Sequence, residues 1–166
     1  MSHPRKLYGC TALAALALLI GGRGLETAAA NGDTRTISLH HIHTNEDITI
    51  TFKREGRYDE EALKKLNRFV RDWRKDEEIA MDPRLYDLVW EAAREIGGNT
   101  VVYVVCGYRS PATNAMLRSR SNGVAEHSQH MLGKAMDFYI PGASHEELRN
   151  VGLRLQRGGE IGRAHV

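Results

Sequence analysis

Arg109, His130 and Asp137 are the residues of this chain whose types and spacing could do chemistry. Arg109 belongs to the turn Gly107-Tyr108-Arg109-Ser110, which closes an apolar run. His130 stands seven residues before Asp137, and Gly133 between them lets the backbone bend. A neutral imidazole and a carboxylate are ordinary zinc ligands, and a fixed guanidinium beside them would act as an electrophile. The spacing alone is a weak signal. What adds to it is that Asp137 is the one charged residue in the apolar segment 135–140, so its desolvation must be offset. A bound cation would do this, and so would an ion pair with Arg109; both readings stand at this level.

Three further positions bear on the site. His127 lies in the same loop as His130 and reads either as a supporting partner or as a solvated loop histidine. Cys106, at the end of an apolar run, reads as a small core residue rather than a nucleophile. The cluster His40-His41-Ile42-His43 would put His41 and His43 on one face of a strand, with no matching pair of ligands nearby. A solvated strand end is the expected reading there, not a metal site.

The elements that must position these residues follow from periodicity. Residues 36–43 and 48–52 alternate apolar and polar, and Thr44-Asn45-Glu46 between them predicts a hairpin. Leu63, Leu66, Val70 and Trp73 recur at helical spacing after a turn at 56–59. Asp82 with Pro83 predicts a capped second helix carrying Leu85, Leu88, Val89, Ala92 and Ile96, ended by Gly97-Gly98. Residues 100–105 (TVVYVV) predict a buried strand. A short helix from Ser110-Pro111 to about Arg118 follows, then an ordered loop over 119–129 and a strand over 134–140. Ser144 and Glu147 form a capping box for a last helix with Leu148, Val151 and Leu155. This order is α+β, with one small, mainly antiparallel sheet and flanking helices.

Length and composition bound the rest. The 166 residues are 42% hydrophobic and 27% charged, enough for one domain with a real core. A net charge of +2 gives no argument for nucleic acid or an anionic surface. Arg5 and Lys6, the small-apolar run 11–20 and Ala28-Ala29-Ala30 before Asn31 have the three-part plan of a secretory signal peptide over 1–30. The run is too short to span a membrane comfortably, and the general secretion route is preferred because there is no twin-arginine pair. Cys10 leaves with the signal, so Cys106 would remain without a disulfide partner. The expected mature protein is an exported monomer of the periplasm or cell envelope, not inserted in the membrane.

These motifs together resemble the exported murein endopeptidase K family of the zinc D-Ala-D-Ala carboxypeptidase clan, which includes the hedgehog signalling domain. The resemblance runs from Thr36-Ile37-Ser38-Leu39 to Leu155-Gln156-Arg157-Gly158-Gly159. Its most specific parts are the run from Gly107 to Asn114 and the pattern His127-Ser128-x-His130-Met131-x-Gly133-x-Ala135-x-Asp137. It implies a hedgehog-like peptidase domain over 31–159, and a zinc peptidase acting on the peptide cross-links of peptidoglycan stem peptides. It further implies His130 and Asp137 as zinc ligands, Arg109 as the group that stabilises the polarised carbonyl, and His127 as a support. Cys106 departs from the family's usual serine.

The larger departure is at the end, where the family continues to a last strand with a His-x-Asp motif bearing the third ligand. Residues 160–166 instead read as the translation of a sequencing-library adapter, so His165 is not credited as that ligand. With two ligands and a missing strand, the chain is expected to hold zinc poorly, to fold poorly and to be inactive. Two other readings accompany the endopeptidase: a non-catalytic peptidoglycan-binding module, and a D-alanyl carboxypeptidase of the same clan.

Overall fold

β-Branched and aromatic residues in alternating register build the sheet. In β1 (Arg35–His41) Arg35, Ile37, Leu39 and His41 are buried while the residues between them are more exposed. β2 (Glu46–Arg54) pairs with β1 antiparallel, so the predicted hairpin forms. Its turn places Asn45 at φ 57°, a left-handed conformation that asparagine tolerates. A two-residue strand, β3 (Arg57–Tyr58), extends the sheet beyond β2. β4 (Val101–Cys106) lies parallel to β1, and β5 (Asp137–Tyr139) closes the other edge antiparallel to β4. Among the described residues the order β3-β2-β1-β4-β5 is a five-stranded, mostly antiparallel sheet, in an α+β fold with four helices. The computed structural model describes residues 33–98 and 100–157, which belong to one unit. The segment 1–30 expected as a signal peptide, the segment 160–166 and His165 lie outside the described residues.

The helices begin where their caps predict. Asp59 accepts from the Glu61 and Ala62 amides at the start of α1 (Glu60–Phe69). Asp82, followed by Pro83, caps α2 (Pro83–Gly97), which ends at Gly98 with φ 74°. Ser110 caps α3 (Pro111–Arg120), and the Ser144–Glu147 capping box opens α4 (His145–Leu155). α1 packs on β2, α2 on β1, and α4 on α2. Leu39, Phe52, Leu66, Val70, Tyr86, Val89, Val102, Val104 and Ile140 form the dry centre between them. Among the described residues no helix is long and apolar enough to cross a membrane.

Three expectations shift. α1 stops at Phe69, so Trp73 is not on its apolar stripe; it is partly exposed, stacked on His43 and covered by the Arg74 guanidinium. The last strand is three residues rather than seven: a turn of 3-10 helix (Gln129–Leu132) ends at Gly133, and residues 134–136 reach β5 without pairing in the ladder. His41 is fully buried instead of solvated: its Nδ1 accepts from the His43 and Thr44 amides, and its ring lies edge-on to Phe69.

Candidate metal centre

The site sits where β4 ends and β5 begins. Gly107 follows β4 immediately, and a Cβ there would lie 2.5 Å from both the Cβ and the carbonyl oxygen of Val70. Only glycine lets the strand end pass this close to the C-terminus of α1, and the Tyr108 amide then donates to the Val70 carbonyl at 2.8 Å. The next residues are pinned from below. Asp72, buried, accepts from the Ser110 amide at 2.9 Å and from the Ser110 hydroxyl at 2.6 Å. Burial raises the Asp72 pKa, but hydrogen bonds from Ser110, Thr113 and the Arg74 amide together more than offset that, and its carboxyl is held below the usual aspartate range. Arg109 is thus fixed between two anchored neighbours.

His130 is carried by the 3-10 turn. Ser128 caps that turn, and Gly133 ends it in the left-handed conformation, φ 66°, packed against the backbone of residues 80 and 81. The His130 carbonyl accepts from the Arg109 amide at 3.2 Å, tying the turn to the arginine. The imidazole Nδ1 lies 2.8 Å from the Gly107 carbonyl. A carbonyl can only accept, so Nδ1 carries the proton and Nε2 is turned toward Asp137. A backbone carbonyl holding the far nitrogen is the usual way a metal-ligating histidine is oriented.

Nε2 of His130 stands 3.4 Å from Oδ1 of Asp137, whose other oxygen is 3.8 Å from Nη2 of Arg109. Both readings left open by the sequence therefore meet at Asp137, which has a cation on one side and an imidazole on the other. Burial pulls the His130 pKa down, but Asp137 and the Cys106 sulfur outweigh it and push it up to about 10. Burial works against the Asp137 carboxylate too; His130 and then Arg109 hold it below the usual range. In the absence of a cation, a proton on His130 supplies the positive charge this pocket is built around.

A zinc ion fits these residues. Two ligands bonded at about 2.05 Å in a tetrahedron lie about 3.3 Å apart, close to the 3.4 Å between Nε2 and Oδ1. Among the described residues, Cys106, His130 and Asp137 are the group whose donor atoms converge, all within 4.8 Å of one another. Cys106 is thereby corrected from core filler to a residue of the site; its sulfur lies 3.6 Å from Nη2 of Arg109. The sequence could not show this, because regular alternation puts Cys106 on the face of Val102 and Val104. A register shift in the β4–β5 pair sets it opposite Asp137 instead.

Arg109 keeps one donor in reserve. Its side chain is largely buried, yet its Nε has no hydrogen-bond partner among the described residues. His127 is placed differently from the others: it is exposed, with no hydrogen bond or ion pair among the described residues, and it follows a segment held by Asn114 through the Ala125 and Glu126 carbonyls. The His40, His41 and His43 group gives no convergent set of ligands.

Comparison with known proteins points to one kind of enzyme. A family model described as peptidoglycan L,D-endopeptidase MepK matches residues 29–162. The peptidoglycan L,D-endopeptidase MepK of Escherichia coli K12 is 39% identical over 125 residues, 75% of this chain and 69% of that protein. The MepK of Shigella flexneri matches at the same identity and coverage. A probable peptidoglycan L,D-endopeptidase MepK of Haemophilus influenzae is 38% identical over 72% of this chain and 68% of its own length. No solved structure matches the chain.

Proposed function

This chain belongs to the peptidoglycan L,D-endopeptidase MepK family, and from that premise we propose that it is a zinc-dependent endopeptidase of peptidoglycan cross-links. The proposal includes its working place: a domain over 31–159, exported by the 1–30 segment and acting in the periplasm or cell envelope on stem peptides. The observation that carries the metal reading is the pairing of His130 Nε2 with Asp137 Oδ1 at 3.4 Å, with Nδ1 already committed to Gly107.

His130 and Asp137 would hold the ion. When bound, zinc lowers the pKa of a coordinated water to about 7 and polarises a carbonyl. The remaining work falls to this chain's own groups. Gly107 and Asp72 hold the Arg109 turn rigid, so its guanidinium costs no reorganisation when charge develops on the scissile oxygen. The Arg109 guanidinium would stabilise that oxygen, with Nη2 beside Asp137 and Cys106. His127, which is exposed, would support the site by meeting the peptide.

The test is metal content and muropeptide digestion, compared with His130→Ala. In a chain that carries the family's last strand and third ligand, the expected result is zinc bound at one ion per chain, with cross-linked muropeptides cut, and both lost in the variant; residues 1–166 alone are expected to hold zinc poorly and to leave muropeptides uncut. Digestion that survives His130→Ala would remove His130 from the ligand set.

A further inference from the structure

We propose that Asn114 is a positioning residue of the site, holding the segment 125–128 through which His127 meets the peptide substrate. This deepens the endopeptidase reading above and rests on it. Asn114 is buried one turn into α3, where its backbone amide donates to the Ser110 carbonyl at 2.9 Å. Its side-chain Nδ2 donates to the Ala125 carbonyl at 3.1 Å and to the Glu126 carbonyl at 3.3 Å. Both partners can only accept, so chemistry fixes which way the amide group faces.

The clamp sets a peptide plane. The Glu126 carbonyl points at Asn114, and in a trans peptide the His127 N–H of that same plane points the opposite way. That N–H has no partner among the described residues, and His127 is exposed. Ser128, the next residue, is buried and caps the 3-10 turn of His130. α3 itself starts from the arginine turn, since its cap Ser110 follows Arg109. One side chain thus ties the His127 segment to the helix that leaves the arginine turn. A second tether, Arg118 to Glu126 at 3.4 Å, is exposed and adds little.

The other end of the Asn114 amide sets it apart from ordinary packing. Its Oδ1 is buried and has no partner among the described residues. A buried acceptor left unpaired loses its water and gets nothing in return. Leucine has nearly the same shape and would leave no such oxygen. Ala125 and Glu126 are exposed, so water could serve their carbonyls if the clamp were absent. Asparagine is therefore a poor choice for stability here and a good one for holding the segment in one place. Misplacement by about 1 Å at a site can lower its rate about 10²-fold.

The test uses the chain in which digestion is read above, with Asn114→Leu. The variant is expected to melt no lower than the unaltered chain, while amide exchange at 125–128 becomes faster. For cross-linked muropeptides kcat/KM should fall by up to about 10²-fold, chiefly through KM, because His127 meets the substrate. In a His127→Ala background the same substitution should cost nothing further, since the two residues act as one unit. An equal loss with and without His127, or unchanged exchange at 125–128, would overturn the proposal and leave the endopeptidase reading standing. A lower Tm with KM unchanged would make Asn114 a packing residue, and overturn it too. An unaltered chain that cuts no muropeptide would overturn the endopeptidase reading and this one with it. Should Asn114→Leu fail to fold, Asn114→Ala carries the same exchange measurement and the same cycle with His127→Ala.

Discussion

In the proposed mechanism Arg109 does two jobs with one side chain, and a lysine could do only one of them. Nη2 faces the anionic side of the site, while Nε is left without a partner. Lysine keeps the positive charge but offers a single flexible ammonium in place of a planar fork. Arg109→Lys is therefore expected to keep its zinc, since no ligand changes, and to lose about 10²–10³-fold in kcat, as loss of one oxyanion donor does elsewhere. Loss of zinc along with activity would make Arg109 a support of the ligand set; unchanged kcat would remove it from the chemistry. Much of this site was legible in the chain. Asp137 interrupts an apolar run, Arg109 follows a glycine turn and His130 stands seven residues before Asp137, and the structure brings all three together. Cys106 was not legible, because it continues the apolar run 101–105 and only a register slip reveals where it points. His127 carried a histidine's promise without any partner to fix it.

The elements matter through two joints rather than through their length. One joint is Gly107 against Val70, where the end of β4 crosses the end of α1. In Gly107→Ala the new methyl would meet a backbone oxygen and a Cβ at 2.5 Å, and neither can swing aside. Overpacking of this kind costs about 1–3 kcal/mol, and here it also displaces the Arg109 turn. Denaturant melts should show that loss, and zinc affinity should fall with it; an unperturbed melt would show that the joint gives way freely. The other joint is Asp72 under Ser110. Its folded pKa is depressed, so its contribution is present above the unfolded value near 3.9 and disappears as pH falls through the folded value. Asp72→Asn should thus lower stability at neutral pH by about 1–3 kcal/mol, the cost of disturbing a buried donor's partner. Once the pH has fallen through the folded value, the variant and the unaltered chain should converge. A constant difference at all pH values would mean the carboxylate charge is irrelevant. Caps, the hairpin and the buried strand were readable because Asp59, Asp82 and Ser144 act locally. The two-residue β3 and the 3-10 turn were not, since each is created by its neighbours: β3 by pairing with β2, the turn by Ser128 and the packing of Gly133.

At the scale of the molecule, the centre gathers segments that are distant in sequence. Cys106 ends β4, His130 rides the 3-10 turn, Asp137 opens β5, and Asp72 and Val70 beyond the end of α1 lock the arginine turn beneath them. β5 is short and lies at the sheet edge, so its own ladder gives it little hold. An ion bonded to His130 and Asp137 would cross-link that edge strand to the turn that precedes it. The unfolded chain holds its ligands far apart, so the ion favours the folded state by mass action. At a free zinc concentration 100 times Kd, the gain is about 2.7 kcal/mol. For a domain of this size, between the ranges where 1 kcal/mol moves Tm by about 4–8 °C and about 2–4 °C, that is a rise of roughly 10 °C. Melts with zinc and with a chelator should differ by this amount, and hydrogen exchange should report the gain most strongly at residues 137–139 and 129–132. His130→Ala should melt at one temperature under both conditions. A zinc-dependent rise that persists in His130→Ala would place the ion elsewhere in the molecule, and a chain whose Tm ignores zinc would leave β5 held by its ladder and the His130–Asp137 pair alone.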